Sequence, residues 1–286
     1  MTGQEHPRRQ FLKTAGLGAA ALLSGANISP GRAQSLTASQ IKKQQLKLGM
    51  ASYTLRKFSL DETLAITKQV GLKYIAFKDF HLPLDSDPKE IKTVVEKVKN
   101  SGLTLYGGGV IYMKNVNQVH SAFDYAKAAG MKVIIGVPNH ELLPLVNKKV
   151  QGYDIKVAIH NHGPTDNVYP TPASAYEKIK DLDKRIGLCI DIGHTMRANV
   201  DPAESARKFA DRLLDVHIKD VTQATERGRT IEIGRGVIDI PKFLKTLLEI
   251  KYSGVVSFEY EKDADNPLAG LAESVGYVKG VLAAIS

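Results

Sequence analysis

The chain has 286 residues, 43% of them hydrophobic and 24% charged, a formal net charge of +9 and one cysteine, Cys189. This balance excludes an intrinsically disordered chain, and no uninterrupted apolar run reaches the roughly 18 residues of a membrane span. A disulfide within the chain is excluded too, and the length suits one large soluble α/β domain with a substantial core.

At the N-terminus, Arg8-Arg9-Gln10-Phe11-Leu12-Lys13 precedes the small, apolar segment Ala15 to Ala26, which reads as a twin-arginine export signal. Residues 1–33 are therefore expected to be removed and 34–45 to form a linker. Residues 46–286 then make the folded domain, periplasmic or otherwise exported, with no stable membrane anchor after cleavage. The remaining positive charge is spread out, without a basic run or interleaved aromatics, so it predicts a solvated surface and no nucleic-acid partner.

From Leu46 onward, short apolar runs alternate with helical patterns, and the alternation repeats eight times. The predicted strands are Leu48 to Tyr53, Lys73 to Asp79, Thr104 to Val110, Lys132 to Val137, Lys156 to His162, Gly187 to Asp191, Leu214 to Lys219 and Gly254 to Glu261. Each is short and apolar, as buried parallel strands are. Between them, Asp61 to Gly71 carries an apolar stripe and closes on glycine, Pro88 to Ser101 begins with proline, and Asn115 to Gly130 ends in glycine. Asp201-Pro202 opens a further helix with an N-cap and a first-turn proline. Eight such units predict a single-domain (β/α)8 TIM barrel; a doubly wound sheet has fewer strands and a Gly-rich turn after the first, and none follows Tyr53. Two stretches break the rhythm, His162 to Thr171 and Thr222 to Gly236, and both follow strand ends, where a barrel of this kind builds its active site.

In the second half, strand parity separates an outward set from an inward one. The outward set is apolar: Val157 and Ile159, Leu188 and Ile190, Leu214, Val216 and Ile218, Val256, Phe258 and Tyr260. The inward set ends polar: His160 and His162, Asp191, His217 and Lys219, Glu259 and Glu261. Carboxylates and imidazoles buried without partners cost several kcal/mol, so their convergence on one mouth predicts a shared cation. His160, Asp191, His217 and Glu259 are the expected ligands, with His162 the alternative to His160 because both share one parity. Such a mixed N/O shell suits one divalent ion, Mn, Zn or Co rather than Mg. His162, His194, Lys219 and Glu261 are expected to line the substrate space.

Other features carry weaker signals. Gly107-Gly108-Gly109 reads as close backbone approach or a bend more readily than as a phosphate cradle, since no helix with a Lys-Ser/Thr start follows. Gly234-Arg235-Gly236 offers Arg235 as a candidate anion ligand at the barrel mouth. His81 and His120 are expected to be structural or solvent-facing, His140 to bond at the rim, and Cys189 to be a small core residue.

At Cys189-Ile-Asp-Ile-Gly-His194, His217-Ile-Lys-Asp220, Gly234-Arg-Gly-Val-Ile-Asp239 and Val256-Ser-Phe-Glu259, the chain resembles the xylose isomerase-like superfamily, in particular its sugar phosphate isomerase/epimerase members. There a strand-five Glu, a strand-six Asp, a strand-seven His and a strand-eight Glu bind the metal. The resemblance implies that role for Asp191, His217 and Glu259, and substrate contact for His194. The chain departs from the pattern at Ile159-His160-Asn161-His162, where His160 replaces the strand-five carboxylate. Those epimerases use two metal-bound glutamates on opposite sides of the sugar. A single base, Glu259, with histidines such as His162 as acids, still permits isomerisation, or elimination beside a ketone. The expected activity is that of a metal-dependent sugar isomerase or epimerase moving a proton α to a carbonyl; the alternatives are a 3-keto-glycoside lyase acting by β-elimination and a non-catalytic sugar-binding barrel. The superfamily's AP endonucleases need an Asp-x-His pair after strand seven, where this chain has Thr230-Ile-Glu232.

Overall fold

The computed structural model describes residues 45–285; the predicted export signal and residues 34–44 of the linker lie outside the described residues. The barrel strands are β1 (Lys47–Ala51), β2 (Tyr74–Phe77), β3 (Thr104–Met113), β4 (Val133–Pro138), β5 (Lys156–His160), β6 (Ile186–Asp191) and β7 (Leu213–Ile218). After β7 come two short strands, β8 (Asp220–Val221) and β9 (Thr230–Ile231), and then the eighth barrel strand, β10 (Val255–Phe258). The eight pair in parallel, in chain order, and β10 closes onto β1 in the register Leu48 to Val256 and Met50 to Phe258. β8 and β9 form a separate antiparallel pair. The architecture is a TIM barrel in one domain, as the eightfold alternation predicts.

Helices start where local chemistry caps them. Ser59 and Glu62 form a reciprocal capping box on α1 (Leu60–Gln69), Asp87 caps α2 (Pro88–Asn100), and Asn115 caps α3 (Val116–Ala128). Next come α4 (Leu143–Tyr153), α5 (Pro172–Ile179), α6 (Ile192–Arg197) and α7 (Pro202–Lys208), the last capped by Asp201; Asp239 caps α8 (Ile240–Glu249). The last helix, α9 (Leu268–Ile285), is long and apolar enough to cross a membrane by length and composition alone, although the sequence holds no uninterrupted span. Here it buries Leu271, Ser274, Val275 and Val278 within the fold, and Glu273 and Lys279 interrupt its apolar run.

Strand ends differ from the sequence reading in ways that shape the site. β5 stops at His160 and β10 at Phe258, so His162, Glu259 and Glu261 stand just beyond their strands. β3 runs on to Met113, past the Val110 predicted, with a register shift against β4 between Gly109 and Ile111. The glycines there serve close packing. A Cβ on Gly107 would sit 2.7 Å from the Val133 carbonyl oxygen, and one on Gly109 would collide with that of Ile135.

Below the site, the barrel interior holds polar groups that the sequence reading passed over. Tyr106 bonds to Ser257 Oγ at 2.5 Å and donates to Asp215 Oδ1 at 3.2 Å, and the Cys189 thiol lies 3.5 Å from Asp215 Oδ2. Burial raises the Asp215 carboxyl to about 7.

Candidate active site

Four neighbouring strands deliver four ligand atoms to one point. His160 ends β5, Asp191 ends β6, His217 lies on β7 and Glu259 follows β10; they are 1%, 0%, 1% and 7% exposed. His160 Nε2 lies 3.2 Å from His217 Nδ1 and 3.5 Å from Asp191 Oδ2, while Glu259 Oε2 lies 3.2 Å from His217 Nδ1. All four ligand atoms fall within 4.8 Å of one another. Bonds of about 2.1 Å in a tetrahedral shell put ligand atoms roughly 3.4 Å apart, so the spacing fits a divalent ion. The donor chemistry fits too. Burial lowers His160 to about 3, keeping a neutral imidazole that offers Nε2, and Asp191 directs Oδ2 at the same point.

Asp191 does a second job. As the N-cap of α6 it accepts from His194 N at 2.7 Å, so the helix start and the site are fixed by one side chain. Asn161 supports it from β5's end, accepting from Asp191 N and donating to Thr195 Oγ1.

Lys219 is buried against the same carboxylates. Its Nζ lies 2.9 Å from Asp191 Oδ2, 2.6 Å from Glu259 Oε2, and in contact with Glu261. Burial acts to discharge it, but Asp191 and Glu259 outweigh burial and hold the ammonium well above its ordinary range. Burial likewise opposes ionisation of Asp191 and Glu259, and Lys219 reverses this, keeping both as carboxylates.

Above this cluster opens a cavity of about 310 Å³. His160, His162, His194, Glu259 and Glu261 line it together with Tyr53, Lys78, Val110 and Tyr112, which come from the first three barrel strands and the turns after them. Burial lowers His162 below its ordinary value and His194 to about 4, so both imidazoles are neutral near pH 7. His162 is stacked on Tyr112, with ring centroids 5.7 Å apart, and its Nδ1 faces Asp166 at 3.4 Å. The two candidate ligands on β5 thus separate: His160 points into the carboxylate cluster and His162 into the cavity.

The structure does not bring Arg235 to the mouth. Its guanidinium forms a two-pronged pair with Glu273 of α9 on the surface. Between Gly234 and Ile238 the loop instead wraps a carboxylate: Asp220 accepts from the backbone N–H groups of Gly234, Gly236 and Ile238, and from its neighbour Val221. The Gly-Arg-Gly motif is a structural collar on Asp220, where a Cβ at Gly236 would collide with Asp220 itself. His81 bonds to Thr63 and Phe58 O, and His140 to Val168 O, both away from the cavity lining.

The cavity residues Tyr53, Lys78 and Tyr112 were missed in sequence because the parity argument was applied only to the second half of the barrel. Lys78, one residue past β2, donates to Val110 O at 2.7 Å and brings a cation to the cavity that Glu259 lines.

Comparison with known proteins supplies the context. The Xylose isomerase-like TIM barrel family model matches residues 64–281. An uncharacterised protein, MJ1311 of Methanocaldococcus jannaschii, is 32% identical over 132 residues, 44% of each chain. An inosose dehydratase of Geobacillus kaustophilus is 29% identical over 130 residues, 40% of this chain and 41% of that one. The chain thus spans less than half the length of these curated relatives. Among solved structures, a D-tagatose 3-epimerase-like protein superposes with a TM-score of 0.69 at 22% identity, covering 84% of this chain and 98% of that one. An IolI protein with a bound zinc atom superposes with 0.68 at 19%, covering 84% and 98%. At such identities these superpositions speak for the fold. With the family model matched from α1 into α9, the chain belongs to the Xylose isomerase-like TIM barrel family.

Proposed function

We propose that this chain is a divalent-metal-dependent enzyme that removes the proton α to the carbonyl of a keto-sugar, with Glu259 as the base, and that the outcome is β-elimination. The observation that carries this is the composition of the mouth. Strand β5 contributes a buried neutral imidazole, His160, where a two-sided epimerase needs a second carboxylate, and Glu261, the other carboxylate lining the cavity, stands outside the four-residue cluster. One base facing the cavity suits loss of a proton followed by loss of a neighbouring leaving group better than removal on one side and return on the other.

His160, Asp191, His217 and Glu259 would hold the ion, Mn, Zn or Co by donor type. When bound, the ion supplies Lewis-acid polarisation of the sugar's carbonyl. Glu259, ionised beside Lys219, takes the α-proton. His194 and Lys78, both lining the cavity, orient the sugar's hydroxyls, and Lys219 fixes Glu259 and Glu261. Arg235 takes no part, so the cavity lacks an arginine for a phosphate and suits an unphosphorylated sugar. The name inosose dehydratase, borne by several curated relatives, denotes loss of water from an inosose, an outcome of the same type. An enzyme exported by a twin-arginine signal would meet glycosides, and a 3-keto-glycoside offers both an acidic α-proton and a leaving group one carbon further on. The ligand set, the base and a small-molecule sugar substrate are thus parts of one proposal.

The test combines metal content with turnover of a 3-keto-glycoside and of free ketoses, for the wild type and Glu259→Gln. Aglycone release by the wild type, lost in the variant, supports elimination. Ketose interconversion without release replaces it with an isomerase, and a protein that neither holds a metal nor responds to one overturns the site.

A further inference from the structure

Resting on this elimination reading, we propose that the Tyr112 hydroxyl is the acid that protonates the departing glycosidic oxygen, held in place by His162 and Asp166. Elimination needs two proton movements, and the ligand cluster with Glu259 provides for only one. An alkoxide leaves poorly from carbon, so a positioned acid is worth typically 10²–10⁴-fold in rate. The acid must stand in the same cavity as the base.

Tyr112 meets these requirements. It lies on the part of β3 that runs beyond Val110, and it lines the cavity with Glu259. The residue is 44% exposed, so it is open to solvent where it lines the cavity. The hydroxyl is bonded to His162 Nε2 at 3.2 Å, and the two rings stack at an interplanar angle of 12°. Behind it, His162 Nδ1 faces Asp166 Oδ2 at 3.4 Å, and Asp166 Oδ1 accepts from Val168 N and Tyr169 N at 2.6 and 2.8 Å. The irregular stretch from His162 to Thr171 is thus the brace of this hydroxyl. The β5 loop orders Asp166, Asp166 faces His162, and His162 fixes the phenol.

The step balances without a further reagent. Glu259 accepts the proton from the carbon α to the ketone; the C–H electron pair becomes the new C=C bond as the adjacent C–O bond breaks. The electron pair of that C–O bond goes to the glycosidic oxygen, which takes the proton of Tyr112. The products are an unsaturated keto-sugar and a free alcohol or phenol, and proton exchange with solvent returns Glu259 and Tyr112 to their starting states.

The test uses leaving-group dependence, which a merely structural tyrosine would not alter. Tyr112→Phe keeps the ring stacked on His162 and removes only the hydroxyl. With wild type and variant shown to have the same thermal stability, aglycone release is compared for a methyl and a 4-nitrophenyl 3-keto-glucoside. The expected result is a loss of 10²-fold or more in kcat/KM with the methyl glycoside and less than about 5-fold with the nitrophenyl one. Asp166→Asn should shift the same ratio in the same direction, by less. Equal losses on both substrates, or none on either, overturn the assignment of Tyr112 while leaving elimination by Glu259 standing. If the wild type releases neither aglycone, the elimination reading falls and this assignment falls with it.

Discussion

Lys219→Met tests the electrostatics of the ligand cluster most directly. The ammonium is fully buried and touches Asp191, Glu259 and Glu261, so a side chain of similar length without charge leaves two or three carboxylates facing one another in a dry pocket. Removing one partner of a buried ion pair costs about 3–5 kcal/mol, and for a barrel of this size ~1 kcal/mol moves Tm by about 2–4 °C. The chelated variant should therefore melt about 6–20 °C below the chelated wild type. Metal changes the comparison. Lys219 lies on the Asp191 and Glu259 oxygens that a metal would use, so in the variant an ion takes those charges unopposed. Differential scanning fluorimetry with EDTA, and then with saturating Mn or Zn, should show a larger metal-induced rise in Tm for Lys219→Met than for the wild type, with most of the deficit recovered. A metal-induced rise no larger than the wild type's would refute the idea that lysine and metal share these carboxylates.

Other expectations are simpler. Asp215→Asn should stabilise the protein at pH 7.5 by up to about 2–4 kcal/mol in urea unfolding, because burial holds the native carboxyl protonated to about 7 while the unfolded one ionises near 4. In the wild type that group lowers stability as pH rises from about 4 to 7 and leaves it lower above; the Asn variant should lose this slope. Asp220→Ala removes the acceptor for the amides of Gly234, Gly236 and Ile238, so those amides should exchange with deuterium at least 10-fold faster, with about 2–3 kcal/mol of stability lost. Arg235→Ala should leave kcat/KM unchanged and cost under about 1 kcal/mol, since its pair with Glu273 is at the surface; a 10-fold fall in kcat/KM would return Arg235 to the site.

The barrel and its ligand cluster were legible because both rest on period-two alternation. Val157, Ile159, Leu188 and Ile190 are buried as the outward set, and His160, Asp191, His217 and Glu259 converge as the inward one. The parity held past the strand ends, since Glu259 and Glu261 both line the cavity even though β10 stops at Phe258. What alternation cannot show is which residues lie at the same height across a closed sheet. Tyr112 lies past the predicted end of β3, beyond the register shift against β4 between Gly109 and Ile111. Arg235 misled for a related reason: a glycine-flanked arginine after a strand resembles an anion site, but the glycines are required by the approach of the loop to Asp220. Asp215 escaped notice because a carboxylate low in the barrel, bonded to Tyr106, breaks the apolar rule for that layer.

The strand-five histidine matters because of charge. Asp191, Glu259 and Glu261 together carry three negative charges and Lys219 offsets one, while burial keeps His160, His162 and His194 neutral. The His217 imidazole is the exception: burial opposes its protonation, but Glu259 outweighs burial and raises its affinity for a proton. Lys219 thus offsets only part of the cluster's negative charge, and a divalent ion would need His217 in its neutral form, because a protonated imidazole has no lone pair to offer. A glutamate at position 160 would add a fourth carboxylate and quench one more unit of the ion's charge. With His160 there, the centre stays one unit more positive, which favours polarising a ketone, and the carboxylate given up is the one a two-sided epimerase needs as its second base. On the elimination reading proposed above, the histidine would both strengthen the pull on the carbonyl and remove the route back.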